Sequence, residues 1–285
     1  WKRELPKYYR LRPTFFGQGG TPLARDGRVV VTLGTKDNKA IVAFDQTNGR
    51  EIWAARHVWA SSYSSPVHAQ LHGRDCILVL QGGMADPPTG GLLILDANDG
   101  RILSEVPHRS RMFASVSVSS PVVIGHRVFV SEAYTEGGLC TEIGSGFTAK
   151  VAWRAPEFDT YLMTAVHQAG HLYGFAGQHQ QNAALVCYEL ESGQEKWRAD
   201  LGGVFQRGSL IRADESFLCL GENGDLAWIN LSPAGAELVA QTKLFDAPEC
   251  WTPPVISYGR LYVCQNQPGN GGSKPRLNCY TFRTR

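Results

Sequence analysis

The sequence predicts an all-β chain, a single domain over residues 1–285 built as a six-bladed β-propeller of four-stranded antiparallel blades. Three observations carry that prediction. A unit of small residues with Pro, then a tight turn, then an apolar run, recurs six times. Aligning the turns superposes Gly27, Gly73, Gly125, Gly170, Asp214 and Gly259, with successive spacings of 46, 52, 45, 44 and 45 residues. No segment keeps the 3.6-residue apolar periodicity that helical crossovers between parallel strands would need. A four-stranded sheet in each repeat cannot bury both faces alone and stacks against its neighbours, which is the logic of a propeller blade.

The elements follow in order within each repeat. The first strand opens on Thr21-Pro22, Ser65-Pro66, Ser120-Pro121, Thr164-Ala165, Ser209-Leu210 and Pro253-Pro254. Small side chains suit a crowded axis, and Pro is tolerated at a strand start, so this strand is placed innermost. The second strand is the apolar run after the turn: VVVTLG from Val29, CILVLQ from Cys76, VFVSEA from Val128, LYGFAG from Leu172, FLCLGE from Phe217 and LYVCQN from Leu261. A third strand follows, as in IVAFD or ALVCYE, then a turn such as QTNGR, then a fourth strand such as EIWAAR. The last repeat stops after its third strand, LNCYTFRTR, while WKREL at the start matches the fourth-strand pattern around Trp53, Trp153 and Trp197. The N-terminal strand is therefore expected to complete the last blade and close the ring, leaving no open sheet edge. Removing residues 1–6 should then cost stability.

Composition narrows the function classes. Hydrophobic residues are 43% and charged residues 19%, an ordinary globular balance. Lys plus Arg is 28 against 26 for Asp plus Glu, a formal charge of +2 that supplies no electrostatic reason for a nucleic-acid partner. No apolar run approaches the roughly 18 to 20 residues that cross a bilayer, and WKRELPKYYR lacks the apolar core of a signal peptide. A start at Trp1 instead of Met suggests a processed chain. The seven cysteines, Cys76, Cys140, Cys187, Cys219, Cys250, Cys264 and Cys279, include no CxxC and no adjacent pair, and most fall in apolar runs as small buried hydrophobes. Only Cys264 and Cys279 lie in neighbouring strands of one repeat.

The segments AFDQTNGREIW (43–53), ILDANDGRIL (94–103) and CYELESGQEKW (187–197) resemble the A-x-D-x-x-T-G-x-x-x-W repeat of pyrroloquinoline-quinone-like propellers. The resemblance spans the chain. It is strong in repeats one, two and four, partial in three and six, and weak in five, where INLSPAGAEL (229–238) lacks the closing Trp. It implies a structural motif, with Gly49, Gly100 and Gly193 in tight turns and each Trp packed between blades, Trp197 at a cost of roughly 3 to 5 kcal/mol if truncated. The family includes quinoprotein alcohol dehydrogenases, a bacterial outer-membrane assembly scaffold and many exported bacterial proteins, and this chain looks most like the last group. The resemblance implies a periplasmic or secreted protein, and the chain is expected to be a monomer. It departs from the dehydrogenases, which resemble eight-bladed propellers and grip the quinone with an adjacent-cysteine disulfide and a calcium ion. No cofactor is expected, with quinone plus calcium as the alternative.

Residues just before each innermost strand crowd the mouth of a propeller's channel. On that alignment the candidate ligand-binding residues are Gln18, Tyr63, Tyr161, Gln206, Arg207 and Trp251, with Phe205 and Glu249 beyond them, and Arg111 joins them from the loop before the third blade. Tyr and Trp faces stack on sugar rings or flat cofactors, Arg207 can fork onto a carboxylate, and Gln18 or Gln206 can orient hydroxyls. The competing reading is that these side chains simply plug a narrow channel. HRSRMF (108–113) brings Arg109 and Arg111 near the mouth, as an anion site or as two solvated loop arginines. Glu157 and Asp159 in EFDTY offer a general base, a metal ligand or partners for those arginines. His167 and His171 sit four apart but across a hairpin turn, so helix-borne zinc logic does not apply and no metal is expected. His179 reads as a solvent-exposed loop residue. GQGG (17–20) and GNGG (269–272) lack the helix and Lys-Ser/Thr of a phosphate loop. MADPPTGG (84–91) reads as an insertion between the second and third strands of repeat two.

Two function classes remain. One is a binding or scaffold module that presents its channel mouth to a glycan, small molecule or protein segment. The other is an enzyme, a divergent quinoprotein-type oxidoreductase or a hydrolase or lyase on a sugar or alcohol, working with Arg111, Tyr161, Glu157 or Asp159. Fold does not separate them.

Overall fold

The computed structural model describes all residues except 85, 114, 179–181, 202–204, 270 and 283–285. The strands fall into sheets in chain order, each an antiparallel meander. The first is β1 (Leu23–Arg25), β2 (Arg28–Thr32), β3 (Lys39–Asp45) and β4 (Glu51–Arg56); the second is β5 (Val67–Leu71), β6 (Arg74–Gln81), β7 (Gly91–Asp96) and β8 (Ile102–Pro107). The third is β9 (Val122–Ile124), β10 (Arg127–Glu132), β11 (Gly137–Ile143) and β12 (Ala149–Ala155); the fourth is β13 (Val166–Gln168), β14 (His171–Ala176), β15 (Ala184–Glu189) and β16 (Glu195–Ala199). The fifth is β17 (Ser209–Ala213), β18 (Ser216–Leu220), β19 (Asp225–Ser232) and β20 (Gly235–Lys243), and the sixth is β21 (Val255–Ser257), β22 (Arg260–Gln265) and β23 (Arg276–Thr281). The six repeats, their strand order and the near absence of helix are as the sequence predicts. The chain divides into two compact units, Trp1–Asp159 and Thr160–Arg285, with three sheets in each.

Period-two alternation explains how the sheets stack inside each unit. In the first, Ile77, Val79, Leu93 and Leu95 of the second sheet pack with Ile41, Ala43 and Trp53 of the first sheet. Their alternates Leu78, Leu80, Leu92 and Ile94 pack with Val128, Val130 and Leu139 of the third. The middle sheet is therefore apolar on both faces, and β7 is buried along its whole length. The second unit repeats the arrangement. Phe217 and Cys219 face Tyr173 and Phe175, while Leu218 and Leu220 face Leu261 and Val263. In the first unit the segments that lead into the first strand of each sheet are stitched by small polar residues, as Thr21 N donates to Ser65 Oγ at 2.9 Å and Ser65 N to Ser120 Oγ at 3.1 Å.

The expected N-terminal strand is not formed. Residues 1–4 carry no strand, Leu5–Tyr8 is a single helical turn with Pro6 in it, and the sixth sheet has three strands among the described residues. Pro6 has no N–H to give a ladder and suits a first helical turn instead. The turn directs Leu5, Tyr9 and Leu11 onto Val42 and Phe44, covering a face of the first sheet. Trp1 nevertheless does what the repeat Trp does. Its ring lies against Gly49, where an added Cβ would come within 2.5 Å of the indole, and its Nε1 donates to Gln46 O at 2.8 Å. Gly49 also has φ +71°, so this turn excludes other residues on both counts. Trp1 is 60% exposed, and Trp1→Ala is expected to cost about 1 kcal/mol, read as a lower denaturant midpoint. An unchanged midpoint would remove the indole from the stability argument.

Trp53 packs on Gly100 in the same way, with Nε1 donating to Ala97 O at 3.2 Å, and is 7% exposed. Trp197 donates to Ser232 O at 2.8 Å but is only half-buried, so the full cost of losing a buried indole is expected at Trp53 and not at Trp197. Cys264 and Cys279 are both free. The register sets Cys264 opposite Leu277 and Cys279 opposite Tyr262, two positions apart along the ribbon. That offset puts their Cα atoms about 8 Å apart, beyond disulfide reach. MADPPTGG falls between β6 and β7, the second and third strands of its sheet, as expected.

Candidate functional site

Four of the candidate residues meet in the second unit around Glu222, just past β18. The Glu222 side chain is fully buried and accepts Arg207 through both oxygens, with Nε at 3.1 Å from Oε2 and Nη2 on Oε1. Trp251 Nε1 donates to the same Oε1 at 2.6 Å. The guanidinium carbon lies 5.7 Å from the Tyr161 ring centroid and 5.5 Å from that of Trp251, both within cation–π range. Gln206 stands beside it, its Oε1 accepting Asn223 Nδ2 at 3.2 Å. The backbone of Glu222 holds the flanking loops, because its N–H donates to Phe205 O and its carbonyl accepts Cys250 N. Gln206 and Glu249 have φ of 46° and 57°, a left-handed geometry that costs energy in residues other than Gly and clusters at functional loops. Phe205 turns inward instead, into the core with Tyr173 and Phe217.

This changes what Arg207 can do. Its Nε–Nη2 edge is already filled by Glu222, whose carboxylate meets its charge. What the cluster offers is a half-buried face of Tyr161, guanidinium and Trp251, edged by the amides of Gln206 and Asn223. Charge is settled internally; stacking and hydrogen bonding remain.

In the first unit the candidates separate. Tyr63 holds the loop before β1: its ring lies on Gly19, 5.8 Å from the Phe16 ring, and its hydroxyl accepts Phe16 N at 3.0 Å. Gln18, in the same loop, is exposed and lines an open cleft with Arg10, Arg12 and Lys36. Arg111 is exposed. Arg109 is neither an open anion site nor solvated. Its side chain is 2% exposed and pairs with the fully buried Glu132 at 3.1 Å, while its other N–H groups donate to Gly82 O, Gly83 O and Ser115 O among other carbonyls. Ser115 and Ser117 also donate to Glu132. Burial pushes the Glu132 carboxyl above its usual value, and Arg109 and the two serines pull against that rise. Glu157 is exposed and Asp159 half-buried.

Glu132 and Glu222 were not singled out by any motif, yet they belong to one pattern. The second strands of repeats two, three and six end on Gln81, Glu132 and Gln265, and Glu222 stands two residues past that of repeat five, all four buried. Gln265 accepts Arg276 and donates to Gln267 O and Ser273 Oγ, whereas the Gln81 amide has no partner among the described residues. An acid or amide closing an otherwise apolar strand was the available signal.

His167 and His171 fall on the two sides of the β13–β14 hairpin, and burial lowers the His167 value. His179 lies outside the described residues. Among the described residues no three His, Cys, Asp or Glu side chains gather as a metal site. Cys250 Sγ donates to Cys264 O at 3.0 Å, and no two cysteines are adjacent in sequence. This donor set does not fit the disulfide and calcium grip that the resemblance implies for quinone.

Residues 9–199, about two thirds of the chain, match the model of the family described as outer membrane protein assembly factor BamB. The chain belongs to this family. Among solved structures, this BamB-family chain is similar to BamB from Moraxella catarrhalis, with a TM-score of 0.59 at 14% identity over 93% of this chain and 70% of that one. It is also similar to the quinohemoprotein alcohol dehydrogenase from Comamonas testosteroni, with a TM-score of 0.58 at 14% identity over 94% of this chain and 58% of that one. A europium-containing methanol dehydrogenase gives 0.59 at 11% identity, over 90% and 62%. At such identities the likeness shows the fold alone. No curated protein matches the sequence. Among the described residues, no helix of this BamB-family chain is long and apolar enough to cross a membrane.

Proposed function

We propose that the chain is a binding or scaffold module of the periplasm or cell exterior, its six sheets the blades of one β-propeller, and that it holds a glycan or protein segment by stacking a ring on the Tyr161–Arg207–Trp251 face. The observation that carries this reading is the bidentate Arg207–Glu222 pair. A guanidinium whose charge is met internally, within cation–π range of two aromatic rings, is a platform for rings and peptide planes. The family's description as an assembly factor supports a role in binding. Gln18, Tyr63 and Arg111, in the first unit, keep their proposed role as ligand contacts there.

Calorimetric titration against a glycan panel tests the reading. Saturable binding is expected, with Trp251→Ala weakening it at least about tenfold, as befits a central aromatic contact. Binding that is indifferent to Trp251→Ala would place the site elsewhere. The similarity to alcohol dehydrogenases supports a second reading as an oxidoreductase, which parallel titration with pyrroloquinoline quinone plus calcium addresses. Quinone binding with alcohol-dependent dye reduction would replace the scaffold reading.

A further inference from the structure

The chain's charge is unevenly placed. Its first eighteen residues hold five of the 28 basic side chains (Lys2, Arg3, Lys7, Arg10, Arg12) and one acid, Glu4, a net +4, so the remaining residues sum to −2. Three cations, Arg10, Arg12 and Lys36, line one open cleft of about 680 Å³ in the first unit, within the range of ligand pockets. No Asp or Glu lines it. Arg12 is pinned by three neutral acceptors, Thr35 O at 3.1 Å, Val58 O at 3.0 Å and Asn38 Oδ1 at 2.7 Å, so its position is fixed and its charge is not cancelled.

Arg10 and Lys36 are brought side by side by the backbone. Lys36 N donates to Arg10 O at 2.7 Å, beside the isolated bridge between Leu11 and Thr35. Both side chains are exposed and neither makes an ion pair or side-chain hydrogen bond among the described residues. The nearby acids are engaged elsewhere: Glu51 accepts Tyr9 Oη at 2.6 Å and Lys39 Nζ at 2.8 Å, and Asp37, next to Lys36, is held by the Thr35 side chain and the charges of Arg56 and Lys39. Leu11, Pro6 and Pro13 supply apolar wall between the cations, and Phe15 and Phe16, 70% and 65% exposed, follow Thr14 at its rim.

We propose that this cleft is a second binding site, one that takes an acidic protein segment in which carboxylates alternate with apolar side chains. Carboxylates meet Arg10, Arg12 and Lys36, and the apolar side chains meet the Pro and Leu wall and the exposed Phe pair. A concave site with apolar lining favours a peptide over a flat anionic surface. The overall charge of +2 argues against a nucleic-acid backbone, which needs a broad basic face.

Fluorescence anisotropy with a dye-labelled synthetic peptide alternating Glu and Leu tests the proposal. The peptide should bind, its Gln-for-Glu counterpart should not, and R10E/K36E should weaken binding by about tenfold or more through two reversed charges. K36E alone, at one exposed position, serves if the double variant fails to fold and should give a smaller loss in the same direction. Absence of binding, equal binding of the Gln peptide, or unchanged affinity in the variants would overturn the proposal. So would tighter binding to a single-stranded oligonucleotide or to phosphatidylglycerol vesicles than to the peptide.

Discussion

Glu132→Ala is expected to destabilise the protein by about 3 to 5 kcal/mol, the range for stranding one partner of a buried ion pair. Arg109 is 2% exposed at its side chain and has Glu132 as its anion, so the substitution leaves a guanidinium in the interior with carbonyl partners alone. The loss spreads beyond one contact. Ser115 and Ser117 lose their acceptor, and Arg109 bridges the end of β6, through Gly82 O and Gly83 O, to the loop that leads to β9. Glu132→Gln, which keeps the shape but not the charge, should fall between wild type and alanine. Urea unfolding measures all three. A midpoint for Glu132→Ala equal to wild type would show that the pair positions the loop without holding the fold.

Trp53→Ala should cost a similar amount, about 3 to 5 kcal/mol for a buried indole. The ring spans two sheets: it leaves β4, packs in the cluster that includes Ile77, Val79 and Leu95, and lies over Gly100, whose φ of +74° already requires glycine. Removing it opens a cavity between sheets and orphans the Ala97 carbonyl. Trp53→Phe should recover part of the loss by refilling the space without the N–H. Trp197→Ala, in a half-buried ring, should cost clearly less. If Trp197→Ala proved the more damaging of the two, burial would not be what ranks the repeat tryptophans.

Much of the candidate site was legible, and the reason is local. Tyr161, Gln206, Arg207 and Trp251 are recoverable because each sits at a fixed offset before the first strand of a sheet, and repeats carry offsets faithfully. What they do with one another was not. Arg207 reads from the sequence as an open fork because Glu222, fifteen residues on, lies across a hairpin, and Arg109 reads as solvated because Glu132 lies in the next strand pair. A sequence shows which residues carry charge; whether that charge is spent depends on pairings that the chain order separates. The N-terminus failed differently. WKREL carries the repeat Trp, and the indole takes the repeat's place on Gly49, but Pro6 diverts the backbone out of a strand.

Alternation and turn residues act over a few positions, so the six antiparallel meanders, their turns and the tryptophans on the Gly49 and Gly100 corners were written locally in the chain. Which cations keep their charge for a ligand was set by packing between segments distant in the chain. Arg109 and Arg207 are neutralised by acids at the ends of buried strands, whereas Arg10, Arg12 and Lys36 keep their charge in a cleft without a carboxylate in its lining. Long-range packing assigns the partner to each charge, and the partner determines whether that charge holds the fold or faces a ligand.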